Sequence, residues 1–90
     1  MTEEELAKFR QKLAESTTFP SVYMYKFIVE TSNRNIALVE NLFGEDADIH
    51  TKESGNKRYT SITAKQVVMN VDEVIAVYRK AAEIKGIMFL

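Results

Sequence analysis

The chain has 90 residues, a net charge of −1, 46% hydrophobic and 28% charged residues, and no cysteine. That length admits one small domain with a single core, and the charge balance argues against a general nucleic-acid binder, which is normally basic. Without cysteine, disulfides, thiol catalysis and thiolate metal sites are excluded. The start, Met1-Thr2-Glu3-Glu4-Glu5, is acidic where a secretory leader is basic and then apolar. No apolar run approaches the ~20 residues of a membrane span. A cytoplasmic chain with no membrane segment is expected.

Thr2–Glu15 reads as a helix. Thr2 and Glu5 have capping-box spacing, and Glu3, Glu4 and Glu5 suit the positive end of the helix dipole. Leu6, Phe9 and Leu13 make one narrow apolar stripe, which needs a surface to dock on. The polar run Ser16-Thr17-Thr18 and Pro20 then break the helix. Residues 1–18 are therefore a helix and linker, and 19–90 the main domain.

Ser21–Glu30, SVYMYKFIVE, is the most strand-like stretch. Tyr23, Tyr25, Phe27 and Val29 fall on one side and Val22, Met24, Lys26 and Ile28 on the other. The first set is assigned to the core, and the set containing Lys26 to an open face. Ser32 then caps a helix over Asn33–Phe43, with Ile36, Val39 and Phe43 as its stripe and Gly44 as its stop. A polar strand over Ala47–Lys52 suits a sheet edge. The turn Ser54-Gly55-Asn56 leads into a strand over Lys57–Val67, in which Thr60, Ile62 and Ala64 face the core. The alternation breaks at Gln66-Val67-Val68-Met69, where a bulge or the strand end is expected. Asn70 and Glu73 open a helix to about Ile84, whose stripe includes Val71, Val74, Ile75, Tyr78 and Ala81. Gly86 releases a terminal strand, Ile87–Leu90.

The order is a helix followed by β-α-β-β-α-β, the split βαβ arrangement. Two helices, each with one apolar stripe, can both bury it on one face of a four-stranded antiparallel sheet. Right-handed crossovers place the first and third strands in the middle. The expected fold is an α+β, ferredoxin-like βαββαβ sandwich, strand order 4-1-3-2, helices on one face, with an extra N-terminal helix.

Phe19-Pro20, Tyr25-Lys26, Tyr59-x-Ser61-Ile62-Thr63, Val71-x-x-Val74 with Tyr78, and a short apolar final strand together resemble the YbeD-like family of small uncharacterised proteins. The resemblance spans about Phe19–Leu90 and implies a fold similar to the ACT regulatory domain. Gln66 departs from it, standing where the family tends to be apolar.

No catalytic constellation is present. His50 is the only histidine, with Asp46 and Asp48 as its nearest acids, too few for a metal site. There is no Gly-x-Ser-x-Gly elbow. The acidic pair Asp72-Glu73 and the glutamates at 3–5 stand at helix starts, where the dipole accounts for them. The loop Thr31–Asn35 precedes a helix N-terminus, where free N–H groups attract anions. Ser32, Asn33, Arg34 and Asn35 are thus candidate ligand residues, and ACT-like domains tend to bind a small effector at the corresponding loop. The open sheet face gives the second set: Met24, Lys26, Ile28, Tyr59, Ser61 and Thr63, with Lys65 beside them and His50 and Lys52 at the edge. The N-terminal helix folding back is the favoured cover for that face, then a second copy of the chain. RNA stacked on Tyr59 comes last, because the glycine- and aromatic-rich third-strand motif is missing.

The chain is therefore expected to be a non-catalytic regulatory or protein-interaction module, acting as a homo-oligomer or with a protein partner, and needing no cofactor or metal. A sensor of a small anionic metabolite at Ser32–Asn35 is the alternative, and RNA binding the distant one. Deleting residues 1–17 is expected to leave a folded domain with altered association or a stickier sheet face.

Overall fold

The alternation in SVYMYKFIVE forms a ten-residue strand, β1 (Ser21–Glu30), at the centre of a computed structural model that describes residues 1–90. Tyr25, Phe27 and Val29 are fully buried on one side, and Val22, Met24 and Lys26 are exposed on the other. The remaining elements are α1 (Glu3–Ser16), α2 (Asn33–Glu40), β2 (Asp48–Glu53), β3 (Tyr59–Val68), α3 (Val71–Ala81) and β4 (Met88–Phe89). Every strand pairing is antiparallel and the spatial order is β2-β3-β1-β4. This is the α+β ferredoxin-like fold with strand order 4-1-3-2.

The helices share one face because their stripes and the odd-numbered side of β1 form one cluster. Val39 of α2 and Val74, Ile75, Val77, Tyr78 and Ala81 of α3 meet Tyr25, Phe27, Val29, Ile62 and Ala64. Phe27 sits 5.7 Å from the Tyr78 ring, 6.3 Å from Phe43 and 5.6 Å from Phe89. Burying a large apolar side chain contributes about 1.5–3 kcal/mol, so this row dominates the packing energy. Thr60, the one buried polar residue in the row, has its hydroxyl 2.8 Å from that of Thr31.

Helix starts follow the expected chemistry. Thr2 Oγ1 accepts from the Glu5 N–H while Glu5 Oε1 accepts from the Thr2 N–H, which closes the capping box and holds the Glu5 carboxyl below its ordinary pKa. Ser32 and Asn70 accept from the N–H groups of Asn35 and Glu73.

Four expectations need correction. First, α1 does not cover the open sheet face. It lies antiparallel along α3 in the helix layer, with Leu6 and Leu13 buried in the common core. Arg10 donates from Nε and Nη2 to Asp72 Oδ1 at 3.1 and 2.8 Å, Arg79 Nη2 donates to Glu3 Oε1 at 2.7 Å, and Phe9 stands edge-on to Tyr78 at 5.2 Å. Tyr78 gives Phe9 an aromatic edge-to-face partner, and α3 carries the charges complementary to Arg10 and Glu3.

Second, the alternation does not break at Gln66: β3 has no bulge and keeps one register with β1 until it ends at Val68 opposite Ser21, so of the two outcomes expected at Gln66–Met69 the strand end is the one that occurs. Gln66 holds its place in the core-facing row because its Oε1 accepts the Gly44 N–H at 3.0 Å. A polar side chain there satisfies a turn instead of breaking the strand. Third, α2 stops at Glu40 and not at Phe43. Residues 41–43 continue as turns that bring the Phe43 ring within 5.1 Å of Tyr25, so Gly44 is a turn residue beyond the helix and not its terminator. Likewise α3 ends at Ala81, with turns to Ile84, before Gly86 at φ +79 redirects the chain. Fourth, the β2–β3 hairpin is wider than its sequence signal. Its left-handed residue is Lys57 at φ +61, and Asn56 Oδ1 accepts from Ser54 Oγ and the Arg58 N–H.

Candidate functional site

Antiparallel pairing fixes which residues share the uncovered face. Met24 lies opposite Lys65, which lies opposite Asp48; Lys26, Thr63 and His50 form the next row; Ile28, Ser61 and Lys52 the next; and Glu30 faces Tyr59. On the other side of β1, Met88 lies opposite Ile28, and the Leu90 N–H donates to the Lys26 carbonyl at 3.0 Å. The register thus puts Met24, Lys26, Ile28, Tyr59, Ser61 and Thr63 on one face, as their alternation implies.

Two apolar places stand on this face, separated by Lys26 and Lys65. One is Val22, Met24 and Val67, exposed at 63%, 55% and 55%. Val22 lies directly opposite Val67, so the two form one patch. The other is a shallow depression of about 180 Å³ lined by Ile28, Lys52, Glu53, Ser54, Tyr59 and Ser61. Exposed Met88 borders it through its pairing with Ile28. The Tyr59 ring is half-buried and carries the Arg58 guanidinium 5.3 Å from its centroid, so a base would compete with Arg58 for that surface.

The loop after β1 divides its four residues between capping and an open groove. Ser32 Oγ is engaged by the Asn35 N–H at 3.0 Å, and Asn35 Nδ2 donates to the Glu30 carbonyl at 2.9 Å. Both side chains therefore shape the helix start. Asn33 is exposed at the first position of α2. Arg34 and Asn35 line a groove of about 900 Å³ between α2 and the end of α3, together with Lys80, Lys85, Glu30 and Glu83. None of Arg34, Lys80 and Lys85 is ion-paired. The two lysines come from the far end of the chain, and no local motif ties them to Arg34.

His50 is exposed, with Nε2 3.0 Å from Asp48 Oδ1, and no three potential metal ligands converge anywhere. On the helix side, Tyr23 and Tyr78 hydroxyls meet at 3.2 Å, while the buried Tyr25 hydroxyl has no partner. Burial pushes both the Tyr25 and Tyr78 phenols well above their ordinary pKa, and for Tyr78 the bond to Tyr23 adds to the shift. Sequence reasoning missed Val67, Met88 and Leu90 as open-face residues. Strict alternation carried through Gln66, and outward from the Ile28–Met88 pair, places all three there.

The fold defines a small α+β domain of ferredoxin-like topology with one added helix in its helix layer. No helix in it is long and apolar enough to cross a membrane. The chain belongs to the family described as "Protein of unknown function (DUF493)", whose model matches residues 14–90. The match takes in all four strands, α2 and α3, and leaves most of α1 outside. No curated protein and no solved structure matches the chain.

Proposed function

We propose that the protein is a non-catalytic cytoplasmic interaction module, regulatory in the manner its resemblance to the YbeD-like and ACT-like proteins implies. It works through the uncovered sheet face, by self-association or by holding a protein partner. The observation that carries this reading is the docking of α1 on α3. The one spare element of the chain is used in the helix layer, and Val22, Met24 and Val67 are left bare across the sheet. Contiguous apolar surface rimmed by charge is the usual mark of a protein contact, and the depression beside Ile28 and Tyr59 can take one apolar side chain of a partner. The near-neutral charge favours protein over nucleic acid. The test compares proteins co-purifying from the native cell with the tagged chain and with its Met24→Asp, Val67→Asp double variant. Partners retained equally by both would overturn the reading.

A second reading is binding of a small anionic metabolite in the groove beside α2. The juxtaposition of unpaired Arg34, Lys80 and Lys85 there favours it. A thermal-shift screen of amino acids and phosphorylated metabolites tests it. A ligand at 100 times its dissociation constant stabilises by about 2.7 kcal/mol, and the effect should vanish in Arg34→Ala.

A further inference from the structure

β1 is ten residues long, but β4 pairs with it only at Phe27 and Ile28. Between Ser21 and Tyr25 the β4 side of the central strand has no neighbouring strand. Backbone groups in an antiparallel strand point alternately to the two sides. The Lys26 carbonyl accepts from Leu90 on the β4 side, and the Thr31 N–H donates to Arg58 on the β3 side. Even-numbered residues of β1 therefore aim at the open edge. Val22 and Met24 each present an N–H and a C=O there, the one other contact being a long 3.4 Å approach of Ser21 Oγ to the Val22 carbonyl.

We propose that this edge is an isologous joint at which β1 pairs antiparallel with β1 of a second copy, making a continuous eight-stranded sheet. The flanking residues fix the register. Pro20 has no N–H to offer, and the Lys26 carbonyl is already engaged. The pairing that uses both free residues sets Val22 opposite Met24 of the other copy and Tyr23 on the twofold axis. It forms four backbone hydrogen bonds. The place opposite Lys26 is held by Leu90 of the same copy, so the chain of the other copy leaves the sheet at Pro20 and neither Lys26 nor Glu30 comes opposite a charged residue. On the open face it joins the Val22, Met24 and Val67 patches of the two copies. The opposite edge, β2, has the sequence DIHTKE, carries Asp48, Lys52 and Glu53 and is exposed throughout except at Ile49, the usual protection against such pairing. From Ser21 to Tyr25, β1 has no such guard.

The joint deepens the self-association reading of the sheet and rests on it. Five residues a side make a small interface of the transient class, so sedimentation is followed from about 1 μM to 1 mM. The expected result is a reversible dimer in which the Val22 and Met24 amides, unpartnered in a single copy, gain slow hydrogen exchange as concentration rises. Val22→Pro removes one donor per copy, an N–H that makes no bond inside the monomer. It should lower dimer affinity at least tenfold with an unchanged monomer spectrum. Val67→Asp alters the joined apolar patch but no backbone group of the edge, and should weaken the dimer less than Val22→Pro does. A chain monomeric up to 1 mM, or a dimer whose Val22 and Met24 amides exchange freely, overturns the joint. A dimer lost in Val67→Asp but kept in Val22→Pro overturns it too, while leaving the sheet-face reading standing. The exchange measurement needs no variant, so it decides even if Val22→Pro does not fold.

Discussion

The two faces of β1 come from the same ten residues and differ in what lies on them. On the odd-numbered side, α2, α3 and α1 close over Tyr25, Phe27 and Val29. On the even-numbered side, Val22 is as apolar as Val29, yet it and Met24 stay in water because no element is left to cover them. Hydropathy alone does not separate Val22 from Val29. Parity does, once one residue of each set is placed.

That contrast can be broken in graded steps. Deleting residues 1–17 removes Leu6 and Leu13 from the core and is expected to leave a folded domain weakened by roughly 3–6 kcal/mol, at about 1.5–3 per side chain. Denaturant unfolding measures this, and the newly exposed surface should be the Tyr78 side and not the sheet face. Phe27→Ala hollows the covered face and should cost about 3–5 kcal/mol, whereas Met24→Thr on the bare face should stay within about 0.5 kcal/mol. Equal costs at the two positions would mean that the bare face is covered in solution.

Tyr25→Phe removes a buried hydroxyl that has no partner and should raise stability by about 1 kcal/mol. A loss in the urea midpoint would instead show that the hydroxyl is bonded. Alkali should act selectively on the covered face. Tyr25 and Tyr78 hold their protons more tightly folded than unfolded. Their contribution is therefore intact below the unfolded tyrosine pKa of about 10 and falls as pH rises above it. The urea midpoint should be level to about pH 9.5 and drop by about pH 11, by less in Tyr78→Phe. The smallest effect belongs to the hairpin: Lys57→Gly relieves a left-handed backbone and should gain about 0.5–1 kcal/mol.

The strand order, β1 to the residue, three N-caps and both sides of β1 were legible because each rests on short-range chemistry or a period of two. The docking of α1 was not, because its stripe of Leu6, Phe9 and Leu13 is compatible with any apolar surface. The choice fell to Tyr78, Asp72 and Arg79, 62–76 residues away in sequence. Gln66 misled for a similar reason: its partner is a backbone N–H at Gly44, which no local pattern reveals. At the candidate loop, the capping role of Ser32 was readable, while the neighbours of Arg34 in the groove, Lys80 and Lys85, are assembled only by the fold.

The contact of Phe9 with Tyr78 has an optical consequence. The chain has four tyrosines and no tryptophan; Tyr23, Tyr25 and Tyr78 touch one another, and Tyr78 meets Phe9 of α1. Near-ultraviolet dichroism will therefore be dominated by that trio, and lifting α1 away from α3 takes Phe9 off one of its rings. The molecule carries a built-in gauge, needing no attached dye, of whether its first helix is seated.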